Sequence, residues 1–140
     1  MNPSPTPHRF SPERALELGR QTLSIEAAAV EALEDRINGD FAAAIELILN
    51  CRGRLIVSGM GKSGHIANKI AATLASTGTP AFFLHAAEAS HGDLGMVQPG
   101  DVVLAISNSG ESDELAAVLP ALRRLGTTLV AMTGKPDSTL

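Results

Sequence analysis

Apolar residues recur at helical spacing near the start of the chain. Ser11-Pro12-Glu13 is typical of a helix start, because a serine can cap a helix, a proline fits its first turn and an acid suits its positive end. We therefore predict a long helix from residue 12 to about Arg36. Its apolar stripe repeats at steps of three, four or seven residues: Leu16, Leu23, Ala27, Val30, Leu33 and Ile37.

A second, shorter helix should follow. Asn38-Gly39 is expected to end the first helix, since glycine readily adopts the backbone conformation that closes one. Asp40 can cap the second helix. Residues 1–10, ahead of both helices, are rich in proline and are predicted to form a disordered tail. The inward face of the second helix should carry three apolar residues: Phe41, Ile45 and Ile48.

From residue 54 onwards, short apolar runs alternate with helical patterns. This alternation predicts an α/β fold, a three-layer αβα sandwich with a parallel sheet and right-handed crossovers, preceded by the two helices. A loop should cover residues 85–100, with one helical turn at residues 86–89. We predict strands at residues 54–58, 81–84, 101–107 and 128–132, and helices at residues 63–76 and 113–125.

The two predicted crossover helices differ in character. Pro120 lies inside the second helix and should kink it, because proline removes one hydrogen bond. The first helix should face inward through three larger residues, with three alanines beside them: Ile66, Ile70 and Leu74, with Ala67, Ala71 and Ala75.

Composition narrows the class of protein. The 140 residues are 44% hydrophobic and 19% charged, which suits one domain with a core. Acidic residues outnumber basic ones by 15 to 11, which argues against a nucleic-acid partner. The single cysteine, Cys51, cannot form an internal disulfide and agrees with a reducing cytoplasm. No apolar run is long enough to span a membrane, and prolines stand where a signal peptide needs apolar residues, so we expect a cytoplasmic protein without a membrane partner.

A glycine- and serine-rich stretch, Gly59–His65, joins the strand at residues 54–58 to the next helix. Backbone N–H groups in such a loop can hold an anion, so Gly61 and Ser63 are candidate phosphate ligands. The alternative is a plain turn, in which glycine only supplies backbone freedom. The stretch is not a Walker A loop, because Ile56 stands where that motif needs glycine, and the acid of a dinucleotide site is missing.

A second polar turn, Ser107–Ser112, follows the strand at residues 101–107. Ser107, Asn108 and Ser109 offer neutral hydrogen-bonding groups together with Ser112. Capping of the next helix is the alternative, and it accounts for one serine but not for three. Because the carboxyl ends of parallel strands meet at one edge of a sheet, the two turns should form one pocket, sized for a monophosphate rather than a nucleotide.

Three charged side chains in these turns could act in chemistry. Lys62 is a candidate partner for a phosphate or a developing oxyanion, with a solvated lysine as the alternative. Glu111 and Glu114 are placed in the first turn of a helix, where acids suit the helix dipole. A carboxylate beside a sugar phosphate could instead move a proton between adjacent carbons.

Two histidines, His85 and His91, flank residues 86–90, with Glu88 and Asp93 nearby. A histidine can act as acid, base or metal ligand, but most loop histidines are none of these. The spacing matches no standard zinc motif. We predict no bound metal, with an adventitious metal at His91 as the alternative.

Four motifs, in order and in spacing, resemble those of the arabinose 5-phosphate isomerases, a family within the sugar isomerase (SIS) domain superfamily. The resemblance runs from about residue 12 to the end of the chain and implies a flavodoxin-like sheet. It implies that members continue past a fifth strand, with a further glutamate and histidine and often two CBS domains, so residues 11–140 should be a SIS domain incomplete at its C-terminus. The motifs are Gly59–His65, Ala75–Pro80, His91–Met96 and Ile106–Ser112.

The resemblance also implies a function. Such enzymes interconvert D-arabinose 5-phosphate and D-ribulose 5-phosphate through an enediol, towards Kdo and lipopolysaccharide, without a redox cofactor and as dimers or tetramers of the full-length form. Lys62, His91 and Glu114 match positions implicated in catalysis. A non-catalytic sugar-phosphate-binding regulatory module and a hexose phosphate isomerase are the alternatives. The candidate ligands of the sugar phosphate are Gly61, Ser63, Ser107, Asn108, Ser109, Glu111 and Ser112.

Overall fold

The computed structural model describes residues 10–140, so the predicted tail lies, apart from Phe10, outside the described residues. The chain falls into two compact units, one ending at Ala42 and the other formed by Ala43–Leu140. Within residues 10–140, no helix combines the length and the apolar character needed to cross a membrane. The elements in chain order are α1 (Pro12–Glu31), α2 (Gly39–Leu49), β1 (Leu55–Gly59), α3 (Gly61–Ser76), β2 (Ala81–His85), α4 (Ala86–Ser90), β3 (Val102–Ser107), α5 (Asp113–Leu125) and β4 (Thr128–Thr133).

Helix α1 starts as predicted but ends earlier. The Ser11 hydroxyl accepts a hydrogen bond from the backbone N–H of Arg14 at 3.2 Å, which confirms the cap. The predicted end at Arg36 is wrong, because α1 stops at Glu31 and a short 3-10 helix follows at Glu34–Arg36. Acids gather at the negative end of α1, where no basic residue of the last turn balances them. No residue of α1 is buried, so its apolar stripe is exposed.

Helix α2 begins at Gly39, one residue before its predicted cap, Asp40. The side-chain oxygen of Asn38 accepts hydrogen bonds from the backbone N–H groups of Asp40 at 3.0 Å and Phe41 at 3.2 Å. Asn38, and not Asp40, is therefore the capping residue. The predicted inward face is only partly correct. Ile48 packs against the core, whereas Phe41 and Ile45 are exposed, because only the last turn of α2 reaches the sheet.

The sheet has four parallel strands in the order β2-β1-β3-β4, which confirms the predicted α/β class. Strand bounds agree with the prediction to within one residue. The central strands β1 and β3 are buried throughout, and the edge strands β2 and β4 are more exposed. From β1 the chain passes to β2 on one side and then returns to β3 on the other. The strand order therefore reverses between β1 and β3.

Alternate residues of the central strands pack against different helices. On one face, Leu55 and Val57 of β1 pack with Ala67 and Ala71 of α3. On the other face, Ile56 packs with Val118 of α5. Helices therefore cover both faces of the sheet, which confirms the three-layer αβα sandwich.

Helix α3 packs through smaller residues than predicted. Ile66, which the helical pattern assigned to the inward face, is 56% exposed, while Ile70 and Leu74 are partly buried against the core. Small side chains let the helix lie close to the sheet, and they turn Ile66 away from it. The fully buried positions of α3 are Gly64, Ala67 and Ala71.

The stretch predicted as a loop at residues 85–100 is largely helical. Helix α4 confirms the predicted helical turn, and a further 3-10 helix at Asp93–Met96 was not predicted. Helix α5 has the predicted bounds and continues through Pro120. The N-terminal end of α5 therefore stands where the second polar turn ends.

Candidate functional site

The two polar turns lie side by side at the carboxyl edge of the sheet. Gly59, the last residue of β1, is in register with Ile106 of β3 and with His85 of β2. Ser107 thus lies one residue beyond that level on the neighbouring strand, and adjacent strands are only about 4.8 Å apart. Open α/β sheets bind ligands where the strand order reverses. In this sheet that place is at the carboxyl ends of β1 and β3.

The first turn, Gly59–His65, is mostly the start of a helix, because α3 begins at Gly61 and not at Ser63 as predicted. Only Met60 separates β1 from α3, so Lys62 and Ser63 lie in the first helical turn. The first intrahelical bond runs from the N–H of Gly64 to the Met60 carbonyl at 3.1 Å. The earlier N–H groups of α3 have no partner within the helix, so they are available to an anion at this edge.

The side chains of this turn are open to a ligand. Gly61 has a φ of 52°, a backbone conformation that favours glycine. Lys62 is exposed and forms no ion pair with any residue from 10 to 140. Ser63 is half-buried. The turn therefore offers backbone donors, one hydroxyl and one ammonium group.

In the second turn, each of the three serines accepts a hydrogen bond from a backbone N–H a few positions later. Ser112 is thereby the cap of α5. The alternative interpretation, that these serines cap the next helix, is therefore correct for Ser112 alone. The other two serines hold the turn in shape. The pairs are Ser107–Gly110 at 3.1 Å, Ser109–Glu111 at 3.2 Å and Ser112–Leu115 at 3.4 Å.

Two hydroxyl hydrogens of the second turn are left for a ligand. A hydroxyl that accepts a hydrogen bond still has its own hydrogen to donate. Ser112 donates its hydrogen to the Glu114 carboxylate at 2.8 Å. Within residues 10–140, Ser107 and Ser109 donate theirs to no protein group. Ser109 and its neighbour Asn108 are exposed, so they are the more accessible candidates.

The prediction that Glu111 lies in the first turn of a helix is wrong, because α5 begins only at Asp113. Its carboxylate instead accepts two hydrogen bonds from Thr139, one from the backbone N–H at 2.9 Å and one from the hydroxyl at 2.6 Å. The hydroxyl and then the N–H of Thr139 lower the pKa of Glu111 from its ordinary value of 4.5. Sequence reasoning missed Thr139, although its hydroxyl follows β4 at the same sheet edge.

Glu114 lies in the first turn of α5, as predicted. Its own backbone N–H and the Ser112 hydroxyl hold the pKa of Glu114 below 4.5, and the charge of nearby His85 adds to this lowering. Glu114 is therefore ionised at neutral pH. An ionised carboxylate beside the two turns can accept a proton from a ligand.

His85 stands at the same sheet level as the first turn, since it ends β2 opposite Gly59. Its ring meets the ring of Phe83 edge-on, with centroids 6.0 Å apart. Its Nδ1 is buried without a hydrogen-bond partner among residues 10–140. The sequence interpretation considered His85 as an acid, a base or a metal ligand but named no partner for it, whereas the structure places it close enough to influence Glu114.

His91 is exposed and follows the last residue of α4. Within residues 10–140, no three histidine, cysteine, aspartate or glutamate side chains gather in a way that could hold a metal ion. The described residues therefore lend no support to the alternative of a metal at His91. They also bring no hydrogen-bonding partner to this side chain.

A separate groove of about 530 Å³ opens at the opposite edge of the sheet. It is lined by the last turns of α2 and by residues at the amino ends of β3 and β4, among them Cys51, Val102 and Thr128. Ligands of open α/β sheets bind at the carboxyl ends of the strands. We therefore assign the candidate site to the two turns and not to this groove.

Comparison with known proteins shows a matching family model and similar curated proteins. A family model described as SIS domain matches residues 48–140. The chain is 58% identical over 121 residues to the Arabinose 5-phosphate isomerase KdsD of Pseudomonas aeruginosa. The aligned residues make up 86% of this chain and 37% of that protein. The chain thus spans little more than a third of the length of the curated relatives it matches.

Two solved structures are similar over most of the chain. The structure of E. coli CFT073 c3406 in complex with A5P has a TM-score of 0.87 at 45% identity, over 92% of this chain and 69% of that one. A putative sugar-phosphate isomerase from Listeria monocytogenes has a TM-score of 0.89 at 33% identity, over 93% of this chain and 69% of that one. Sequence identities of 45% and 33% indicate a shared family as well as a shared fold.

Proposed function

The chain belongs to the SIS domain family, and on this basis we propose that it forms the sugar-phosphate-binding part of an arabinose 5-phosphate isomerase. One observation carries the proposal. The start of α3 and the turn after β3 bring backbone N–H groups and serine hydroxyls together at the edge where the strand order reverses. The relatives named as arabinose 5-phosphate isomerases, and the neighbour in complex with A5P, support this choice of sugar.

The phosphate of the sugar binds between the two turns in this proposal. Ser63, Ser107 and Ser109 donate hydroxyl hydrogens to it, and the first N–H groups of α3 add backbone donors at the positive helix end. Gly61 and Asn108 complete the lining. Neutral donors suit a chain with a net charge of −4, because they bind a phosphate and still release it.

The reaction moves a proton between C1 and C2 of the sugar. A base removes the proton from C2 of the aldose, and the electron pair of that C–H bond forms the C1–C2 double bond. The C1 oxygen then takes up negative charge and a proton, which gives the enediol. The C2 hydroxyl then loses its proton while C1 gains one, and the carbonyl group that forms at C2 gives the ketose. No electron leaves the substrate, so the proposed reaction needs no redox cofactor.

Three residues share this chemistry in the proposal. Glu114 is the base, because its carboxylate is ionised at neutral pH and lies in the first turn of α5. The ammonium group of Lys62 stabilises the negative charge that develops on the C1 oxygen. His91 moves the proton between the two oxygens. Interconversion of D-arabinose 5-phosphate and D-ribulose 5-phosphate places the protein at the first step towards Kdo and lipopolysaccharide.

Assembly and location are part of the same proposal. We expect a dimer or tetramer of the full-length form, because α1 exposes Leu16, Leu23 and Val30 along its apolar stripe, and burial of such side chains is favourable. We expect a cytoplasmic location, because Cys51 is a free thiol, as reducing compartments favour.

The decisive experiment mixes the chain with D-arabinose 5-phosphate and measures both binding, by calorimetry, and the formation of D-ribulose 5-phosphate. We expect both, with D-glucose 6-phosphate as a control that is neither bound tightly nor converted. Ser109→Ala should weaken binding, since Ser109 supplies a free hydroxyl. Binding without turnover would instead favour a non-catalytic sugar-phosphate-binding module, and a chain that binds neither sugar would overturn the proposal.

A further inference from the structure

The carboxylate of Glu111 is held by a residue far away in the sequence. The N–H of Thr139 donates to Oε1 at 2.9 Å, and the Thr139 hydroxyl donates to Oε2 at 2.6 Å, across a separation of 28 positions. Both carboxylate oxygens are therefore engaged by one residue. Hydrogen bonds to an ionised carboxylate are stronger than those between neutral groups.

The segment that carries Thr139, residues 134–140, touches the second turn at two further points. The N–H of Gly134 donates to the carbonyl of Asn108 at 3.2 Å, and the N–H of Leu140 donates to the carbonyl of Gly110 at 3.1 Å. Leu140 also packs against a buried cluster that includes Leu115 of α5. We call residues 134–140 the clamp segment, because it meets the turn at Asn108, Gly110 and Glu111.

The clamp segment also limits which residue can stand at position 110. Gly110 has a φ of 67°, and a Cβ atom added there would overlap the hydroxyl group of Ser138. The Ser138 Oγ is buried without a hydrogen-bond partner among residues 10–140. The turn and the clamp segment therefore lie in close contact at a glycine whose N–H is bonded to Ser107.

We propose that Thr139 is a positioning residue for the sugar phosphate, which holds Glu111 so that the hydroxyls of Ser107 and Ser109 face the ligand. This inference rests on the proposed function. A carboxylate free to move beside a bound phosphate would repel it, because like charges placed together are costly. The two bonds from Thr139 fix the position of that negative charge. Glu111 is thus an anchor of the turn and not a ligand of the substrate.

The test compares Thr139→Val, which removes only the hydroxyl donor, with two matched variants. Thr139→Ser keeps a hydroxyl at the same position. Thr127→Val removes a hydroxyl that donates to the Leu122 carbonyl at 3.0 Å, at the opposite end of β4. Calorimetry measures the dissociation constants of D-arabinose 5-phosphate and of inorganic phosphate for each variant. Nuclear magnetic resonance measures the hydrogen exchange of the Gly110 amide without any ligand.

Thr139→Val should raise both dissociation constants by about five- to tenfold, the loss expected when one exposed hydrogen bond is removed. It should also speed exchange at the Gly110 amide. Thr139→Ser and Thr127→Val should bind as the wild type does. Since Thr139 is exposed, Thr139→Val should stay folded, which far-ultraviolet circular dichroism checks.

Glu111→Gln supplies a second, independent measurement. If Thr139 acts through the Glu111 carboxylate, Thr139→Val should have little effect on binding in the Glu111→Gln background, because the negative charge that Thr139 holds in place is absent there. Additive losses, or unchanged binding in Thr139→Val, would overturn the inference while leaving the proposed function intact. A wild-type chain that fails to bind D-arabinose 5-phosphate would instead overturn the proposed function itself.

Discussion

A Cβ atom on Gly64 of α3 would lie 2.9 Å from the carbonyl oxygen of Gly59 at the end of β1. Real Cβ atoms essentially never come so close to a backbone oxygen. The first turn of α3 is therefore pressed against the end of β1. This contact sets the height at which Lys62 and Ser63 stand above the sheet.

Gly64→Ala should destabilise the protein by about 1–3 kcal/mol, because the added methyl group meets a backbone atom that cannot rotate away. Urea unfolding measures the loss. Gly19→Ala is the matched control, since a Cβ on Gly19 of α1 meets nothing within 4 Å. It should leave stability unchanged or raise it by up to about 1 kcal/mol, as alanine favours a helix. Equal stability of Gly64→Ala and the wild type would contradict the close packing.

Asp101 is only 2% exposed and joins the starts of two strands. Its carboxylate accepts hydrogen bonds from the N–H groups of Arg54 at 2.8 Å and Gln98 at 2.9 Å, and from the Arg54 guanidinium at 3.1 Å. Asp101→Asn replaces one acceptor with a donor, so we expect a loss of about 1–3 kcal/mol in chemical unfolding. The exposed Asp40→Asn should change stability by less than about 0.5 kcal/mol.

The same carboxylate predicts a pH dependence of stability. Burial raises the pKa of Asp101, but the N–H groups of Gln98 and Arg54 and the Arg54 guanidinium lower it more, to a net value below 3.8. A group with a lowered folded-state pKa stabilises the protein above its unfolded-state pKa, and this stability is lost as the pH falls through the folded value. The stability gap between wild type and Asp101→Asn should therefore be constant from neutral pH to about pH 5 and shrink below about pH 4. A gap that widens in acid would contradict this assignment.

Lys62 and Lys69 lie on the same helix and allow a matched comparison. Lys62→Met should lower the turnover of D-arabinose 5-phosphate by about 10²–10³, the usual cost of losing one group that stabilises an oxyanion. Lys69→Met, further along α3, should keep wild-type turnover. Equal rates for the two variants would remove Lys62 from the mechanism.

Ser112 combines a structural role with an electrostatic one. Ser112→Ala should cost about 1 kcal/mol through loss of the α5 cap. It should also raise the pKa of Glu114 towards 4.5, because the Ser112 hydroxyl helps to lower it. The acidic limb of the pH–activity profile should then move to higher pH, since the base is protonated sooner. Ser109→Ala leaves the cap intact, so it should weaken substrate binding without moving this limb.

The exposed stripe of α1 tests the proposed assembly. Leu23→Ser combined with Val30→Ser should shift the protein towards monomers in analytical ultracentrifugation, because both apolar side chains are exposed in a single chain. Glu26→Ser, on the same helix, should leave the assembly unchanged. A full-length form that is monomeric would contradict the proposed dimer or tetramer.

Much of the fold could be predicted from local patterns. The apolar runs gave strand bounds to within one residue, since a strand buried on both faces needs a continuous apolar run. The predicted bounds of α5 were correct, and the structure shows Ser112 as the cap at its start and Gly126, in the left-handed conformation, at its end. The predictions for Asn38, Ile66 and the end of α1 were wrong, because each depends on competition between neighbouring groups or on how closely a helix approaches the sheet.

The sequence by itself determined the α/β class, the family and the two polar turns at one sheet edge, because parallel strands joined by helices must end on the same side. Only the tertiary structure decided which residues contact the charged side chains in and beside those turns. It placed Thr139 on Glu111 and His85 near Glu114, and it put Lys62 on a helix rather than in a loop. Periodicity reports which face of an element is buried, whereas the partner of a polar side chain depends on distances between segments far apart in the chain.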